Sequence, residues 1–499
     1  MDKKKSILNV TVSIGGKVFA MILSIVVKRF LIRCCGNEVN GLNSLYLSII
    51  GFMTVAELGV GSAITFSMYK PIVENDTEKV SALYGLYRRL YLIIGSVILV
   101  AGLMVSPFIH ILAKDYEQLD VNFTHTFILM LISTVLTYMY GAKTALFNAY
   151  KNNYVTTAIT QCGIIFRYIL QIIVLITIGT FEAYLVCRII DSLCQWTVTE
   201  IITRKQYQSV VSLKRSVDLE TSREVMRNVK AMFMHKVGFV LVNTLDSVII
   251  AAFVGVVVLG EYSNYTTIVV SLSGVLKLVF TSLTSVLGHM CVQENQKVAR
   301  DYCETFHFLN FAIGAVFFLG YYAIIDNLIA MFFAADLIIE KSISFVITVN
   351  GFVQFMREST LVFRDATGTF YNDRWKPFAE GVVNVVFSVL FVKQFGVVGV
   401  IVATIGTNLL ICHIVEPYVL YKFAFGESPK RYYVRNYLCI LIFVVSLCFL
   451  DRCMFNLEKL WLELLVNGSL SVCIAVAICM MMLSFNPKVL RRFIRKKGE

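Results

Sequence analysis

Charge is scarce in this chain. Only 16% of its 499 residues are Asp, Glu, Lys or Arg and 57% are hydrophobic, whereas a soluble domain carries about 25% charged residues. That shortage excludes a string of water-soluble domains. The six histidines are scattered, and none of the thirteen cysteines forms a C-x-x-C pair; Cys34-Cys35 is the only adjacent couple. Metal binding is therefore not expected, because no His is grouped with Cys at zinc spacing. A cleavage site is missing too. The apolar run after Lys3, Lys4 and Lys5 continues past Lys17 to about Ile32 with no A-x-A-like end, so it reads as a retained first span rather than a signal peptide. The net charge of +12 lies in short loops between apolar runs, which argues against a nucleic-acid partner.

What is present is a series of apolar runs of membrane-crossing length, roughly 20 residues each. Candidate spans lie near 7–32, 43–70, 84–112, 123–149, 154–178 and 182–203, then near 231–256, 262–290, 305–333, 342–363, 377–395 and 397–420, and finally near 434–450 and 464–485. The expectation is an all-α integral membrane protein of about 14 transmembrane helices, two pseudo-symmetric six-helix lobes plus two C-terminal helices. With both termini inside, Lys and Arg are about five times as frequent in the inner segments as in the outer loops, the bias expected of cytoplasmic loops. The longest polar stretch marks the internal boundary: an N-lobe over 1–203, a cytoplasmic linker over 204–230 and a C-lobe over 231–425, followed by 426–499 with the last two spans and a basic tail. Within the linker, "DLETSREVMRNV" reads as a short helix with Asp218 or Thr221 as N-cap.

Sliding the chain along itself until Lys17 meets Lys236 also lays Val18 on Val237, Gly36 on Gly255, Gly41 on Gly260 and Tyr46 on Tyr265. An even number of spans per half makes this a repeat of the parallel kind, a transporter architecture. Charges inside the spans cost at least ~2.5 kcal/mol each on insertion scales and usually face a cavity. Arg188 and Asp191 stand three residues apart, on one helix face, and Arg357 adjoins Glu358, so internal pairing is a sufficient account of both. Glu200 and Glu416 lie near span ends, within reach of interfacial water. Lys17, Lys28, Arg29, Glu57, Asp246 and Lys277 belong instead to the leading pair of spans of each half. Four cations and two carboxylates there suit an anionic substrate, with Arg and Lys as partners of phosphate oxygens. The competing reading has Lys28 and Arg29 reaching the headgroups and Lys17 paired with Glu57.

The second span, "FMTVAELGVGSAITFSMYKP", reads as one helix with Glu57 near its middle, small residues beside it, and Lys70-Pro71 at its cytoplasmic end. Together with the preceding "NGLNSLYLSIIG" and the following "IVENDTEKV", it resembles the Wzx-type polysaccharide repeat-unit flippases of the multidrug/oligosaccharidyl-lipid/polysaccharide (MOP) exporter superfamily. "LDSVIIAAFVGVVVLGEYSNY" (245–265) and "FRDATGTFYNDRWKPFAEGVVNVVFSVLFVKQFGVVGVIVATIGTN" (363–408) resemble two further stretches of that family, in the same order. The resemblance covers roughly residues 1 to 420. This chain departs from it at Cys34-Cys35, where the family usually has an apolar residue before Leu-Gly.

The resemblance implies a bacterial cytoplasmic-membrane, multi-pass flippase. It would move an undecaprenyl-diphosphate-linked oligosaccharide to the outer leaflet for surface polysaccharide such as O-antigen. Membrane lipids surround it, and a polysaccharide polymerase and glycosyltransferases are candidate partners. It further implies a cationic cavity, which places the substrate diphosphate on Arg29, Lys28 and Lys277, with Lys17 beside them. Glu57 and Asp246, which stand in the matching motifs, become the cavity or coupling carboxylates. No cofactor is implied beyond proton or sodium coupling, and no catalytic residue. The expected mechanism is alternating access by rocking lobes, helped outward by an inside-negative potential worth ~2.3 kcal/mol per charge per 100 mV. Three rivals stand beside this reading. A multidrug cation antiporter of the same superfamily should have an acidic cavity. A membrane-embedded glycosyltransferase or polymerase should have a large outer loop with acidic or His residues, whereas the longest outer loops here, 113–122 and 451–463, are short. A scaffold would need no mid-membrane charges.

Overall fold

The computed structural model describes residues 3–57, 60–114, 121–213, 215, 217–218, 221–223, 225–226, 244–293 and 296–484, and every regular element among them is helical. The chain divides into two compact units, Met1–Gly260 and Glu261–Glu499. Seven helices among the described residues are long and apolar enough to cross a membrane.

The first unit contains α1 (Lys3–Cys35), α2 (Asn37–Met53), α3 (Val60–Val73), α4 (Thr77–Val105), α5 (Phe123–Ala149), α6 (Asn153–Thr177), α7 (Phe181–Gln206) and α8 (Thr244–Phe253). Helix starts carry the caps their residues favour: Asp76 accepts from the Lys79 amide at 2.9 Å and Asn122 from the His125 amide at 3.0 Å. The second span is not one helix. It ends as α-helix at Met53, passes through a 3₁₀ turn over Thr54–Glu57, and resumes at Val60. It also runs through Pro71 to Val73 rather than stopping at Lys70.

The aligned glycines of the repeat do the same local work. Gly36 (φ 91°) separates α1 from α2, and Gly255 (φ 141°) separates α8 from α9 (Val256–Ser282). Such φ values are open to glycine at no steric cost. Tyr46 and Tyr265 are both fully buried. At Gly41 the start of α9 comes into backbone contact: a Cβ there would lie 2.0 Å from the Val256 carbonyl oxygen. Asn37 and Asn40 donate to the carbonyls of Val257 and Gly260, each at 3.1 Å. These bonds attach the start of α9 to α2 within the first unit, which runs to Gly260.

Part of that loop packs on α4. Ser81 donates to the Leu213 carbonyl and Arg215 pairs with Glu78 at 3.0 Å. Asp218 is the N-cap, accepting from the Thr221 amide at 2.9 Å, and this bond holds its carboxyl below the usual range. Lys236 and the first half of the 231–256 run lie outside the described residues, as does the basic tail from 485.

The second unit continues with α10 (Thr284–Gln293), α11 (Gln296–Phe332), α12 (Lys341–Met356), α13 (Glu358–Ala366), α14 (Lys376–Thr407), α15 (His413–Leu420), α16 (Lys430–Cys453) and α17 (Leu460–Ser484). Its core is aromatic, with Phe352 stacked on Phe443 at 3.6 Å. α14 is a hairpin about Gly396 (φ 57°, ψ −135°). In a continuous helix residues 391 and 399 would stand ~12 Å apart. Here a Cβ on Gly399 would lie 2.3 Å from the Phe391 carbonyl oxygen, and Asn384 donates to Thr404 across the two arms at 2.9 Å. The arms correspond to the separate runs expected at 377–395 and 397–420. π-helical turns at Asn408–Cys412 and Tyr421–Phe425 flank α15.

Candidate functional site

The first unit encloses a polar cavity of about 420 Å³ between α1, α4, α5, α6 and the turn that carries Glu57. It has two charged side chains, Lys17 and Glu57. The rest of its polar wall is neutral: hydroxyls of Thr137, Thr144, Thr156 and Thr160, and the amides of Asn148 and Gln161. Tyr91 donates to Glu57 Oε1 at 2.5 Å. Tyr87 packs edge-on against Tyr91 with ring centres 4.5 Å apart, and Tyr138 stands beside Tyr91 at 5.5 Å. Two glycines make room for this group. A Cβ on Gly141 would meet Tyr91 Cε1 at 2.2 Å, and one on Gly61 would meet the Tyr87 hydroxyl at 2.6 Å. The small residues near Glu57 therefore admit tyrosine rings.

Lys17 and Glu57 share the cavity without forming an ion pair, and no described carboxylate pairs with Lys17. Glu57 spends its acceptor on Tyr91 instead. Lys28 and Arg29 lie further along α1, ~17 Å from Lys17 at 1.5 Å per residue, and do not line this cavity; Arg29 is exposed and Lys28 half-buried. Asp246 is half-buried on α8. Lys277, in the second unit, is paired with Glu358 at 2.8 Å while its own side chain stays 44% exposed.

The other intramembrane charges pair differently from the expectation. Asp191 takes Arg167 of α6 at 3.2 Å, not Arg188, and its second oxygen accepts from Gln195 at 2.7 Å. Three residues along one helix put Arg188 and Asp191 on one face, but the neighbouring helix offers a guanidinium that meets the carboxylate head-on. Glu200 is partly exposed and also paired, bridged by Lys143 and by the exposed Arg204, the latter at 2.6 Å. Glu416 is 1% exposed, held by Arg357 at 2.6 Å and Lys376 at 2.6 Å. Arg357 also reaches Glu380 at 3.4 Å and Asn408 at 2.6 Å, and Lys376 reaches Glu380 at 3.0 Å. Arg357 thus passes over its neighbour Glu358, which goes to Lys277. Two cations and two carboxylates close this network to zero net charge, so each buried ion has its partner.

The sequence reading missed the tyrosines around Glu57, the threonines of α5 and α6, and Lys143 and Lys376. The signal was available in part. Tyr87 and Tyr91 stand four residues apart, Thr137 and Thr144 seven, and Thr156 and Thr160 four, so each pair shares a helix face.

Membrane-length helices, with a polar cavity in the first unit lined by one cation, one carboxylate and a neutral hydroxyl wall, define a multi-pass membrane protein. Its fold is similar to that of solved transporters of the MOP superfamily. The chain resembles an inward-facing multidrug resistance MATE family transporter of that superfamily with a TM-score of 0.66 at 14% identity, over 86% of this chain and 95% of the other. It resembles the lipid II flippase MurJ in an inward closed conformation with a TM-score of 0.64 at 14% identity, over 96% and 99%. A MOP superfamily transporter from Pyrococcus furiosus, described by the reverse polarity of its binding pocket, gives 0.53 at 13% identity, over 90% and 97%. Residues 6–286 match the family described as polysaccharide biosynthesis protein, and the chain belongs to that family. Among curated protein sequences there is no match.

Proposed function

We propose that the chain is a flippase for a lipid-linked oligosaccharide, moving an undecaprenyl-diphosphate-linked repeat unit across a bacterial cytoplasmic membrane by alternating access. Fourteen spans with both termini inside complete this reading. The observation that carries it is the wall of the unit-one cavity. Threonine hydroxyls and Asn and Gln amides match sugar hydroxyls, which both donate and accept. Lys17, with no carboxylate paired to it among the described residues, suits an anionic head. Lys28 and Arg29, further along α1, would take the diphosphate in its outward course. A cavity whose one carboxylate, Glu57, is balanced by Lys17 lacks the net acidic charge that a cationic drug would need. Glu57, hydrogen-bonded to a neutral tyrosine rather than to a cation, is the residue assigned to proton or sodium coupling; Asp246 is the second coupling carboxylate. Lys277 already has Glu358 and would have to exchange that partner to bind phosphate.

The test is surface polysaccharide and lipid-linked repeat units in cells whose only copy is Lys17→Ala or Glu57→Gln. Both variants should lower surface polysaccharide at least tenfold, equivalent to ~1.4 kcal/mol, and accumulate the lipid-linked precursor. Normal polysaccharide from both, at normal protein levels, would overturn the site.

A further inference from the structure

A second charged site lies in the first unit, outside the cavity, where α6 meets α7. Two arginines, Arg167 and Arg188, approach a single carboxylate, Asp191. Both oxygens of that carboxylate are already engaged, Oδ2 by Arg167 and Oδ1 by Gln195. Among the described residues the Arg188 guanidinium has no carboxylate within ion-pair distance, and its Nε is buried without a hydrogen-bond acceptor. Around it stand the neutral rings of Tyr184 and Tyr168. Gln171 of the facing helix donates from Nε2 to the Tyr184 carbonyl at 3.2 Å. The Oε1 of Gln171, a residue with no exposure, is also without a donor.

The position is unusual for an arginine. On α7 it belongs to the stripe Phe181, Leu185, Asp191, Gln195 and Thr199, all buried. Yet Arg188 itself is partly exposed, so the packed face opens at that one place. Gly163 lets α6 approach α7 closely beside Asp191 and Gln195: a Cβ there would lie 2.7 Å from Asp191 Oδ1. Inside a bilayer an excess buried positive charge is costly unless an anion compensates it. Arg188 is seven residues from the start of α7, about 10 Å along the axis, within reach of the headgroup level for a long side chain that keeps its stem buried.

We propose that Arg188 is the anchor of a lipid-phosphate site between α6 and α7, occupied by the headgroup of an anionic phospholipid. Arg188 supplies the planar donor pair that phosphate oxygens accept, and Arg167 adds charge from the facing helix while staying bound to Asp191. This site is separate from the cavity assigned to the sugar head, and it stands or falls without that assignment.

The test uses the full chain in detergent, with phosphatidylglycerol, phosphatidylcholine and inorganic phosphate as three separate probes, read by thermal shift and by native mass spectrometry. Phosphatidylglycerol should raise the melting temperature and stay bound, with the other two inert. Arg188→Gln should weaken the response at least tenfold. Arg188→Lys keeps the charge but loses the planar donor pair; it should weaken the response by less than Arg188→Gln does, and it serves as the test if Arg188→Gln fails to fold. A response to inorganic phosphate but not to the lipid would overturn the lipid assignment. An equal response to phosphatidylglycerol in the wild type and both variants would overturn the site.

Discussion

Glu57 stands on a 3₁₀ turn between two helices, beside the hydroxyl of Tyr91. Because Gly141 lies against the ring edge of that tyrosine, the smallest enlargement there has a calculable effect. Gly141→Ala should displace Tyr91, costing ~1–3 kcal/mol by overpacking, and should depress transport more than Tyr91→Phe, which keeps the ring; melting temperature and precursor accumulation measure both. Buried and exposed ion pairs separate in the same way. Glu416→Ala strands Arg357 and Lys376 and should cost ~3–5 kcal/mol, seen as loss of folded protein on size-exclusion chromatography. Glu74→Ala removes the partner of an exposed lysine, Lys70, and should cost less than ~1 kcal/mol. At this scale the sequence was a partial guide. It singled out Glu57 and Lys17 and offered an ion pair between them as the competing reading, whereas Glu57 takes its hydrogen bond from Tyr91. A carboxylate in a helix cannot be assigned a partner until the facing helix is known, and here the partner is a tyrosine on α4.

Helix breaks are where elements acquire their direction. Gly396 has φ and ψ that only glycine adopts freely, with open space where a side chain would go. Gly396→Ala should therefore destabilise through the backbone alone, by ~1–3 kcal/mol, while Gly274→Ala, in open space within a regular helix, should be neutral or stabilise by up to ~1 kcal/mol. Thermal unfolding of the two variants in one detergent compares them directly. The apolar runs were legible because membrane length is a property of composition along the chain. The turn at Glu57 was not. The 3₁₀ turn over Thr54–Glu57 carries no Pro and no charge beyond the carboxylate itself, so the run read as continuous.

At the scale of the molecule, the orientation can be checked by labelling. With both termini inside, Asn122 faces outward and the turn at Glu74 faces the cytoplasm. In a variant without native cysteines, Asn122→Cys should react with an impermeant maleimide in intact cells and Glu74→Cys only after permeabilisation. The opposite pattern would invert the topology. By itself, the sequence determined the all-helical membrane class, the spacing of the runs, and the matching glycines at Gly36 and Gly255, because each depends on local composition or local backbone freedom. Tertiary structure alone decided which charges meet. Asp191 went to Arg167, Glu358 to Lys277 and Glu416 to Arg357 and Lys376, since in a low-dielectric interior a charge pairs with whatever ion the packed neighbour presents, however far apart the two stand in the chain.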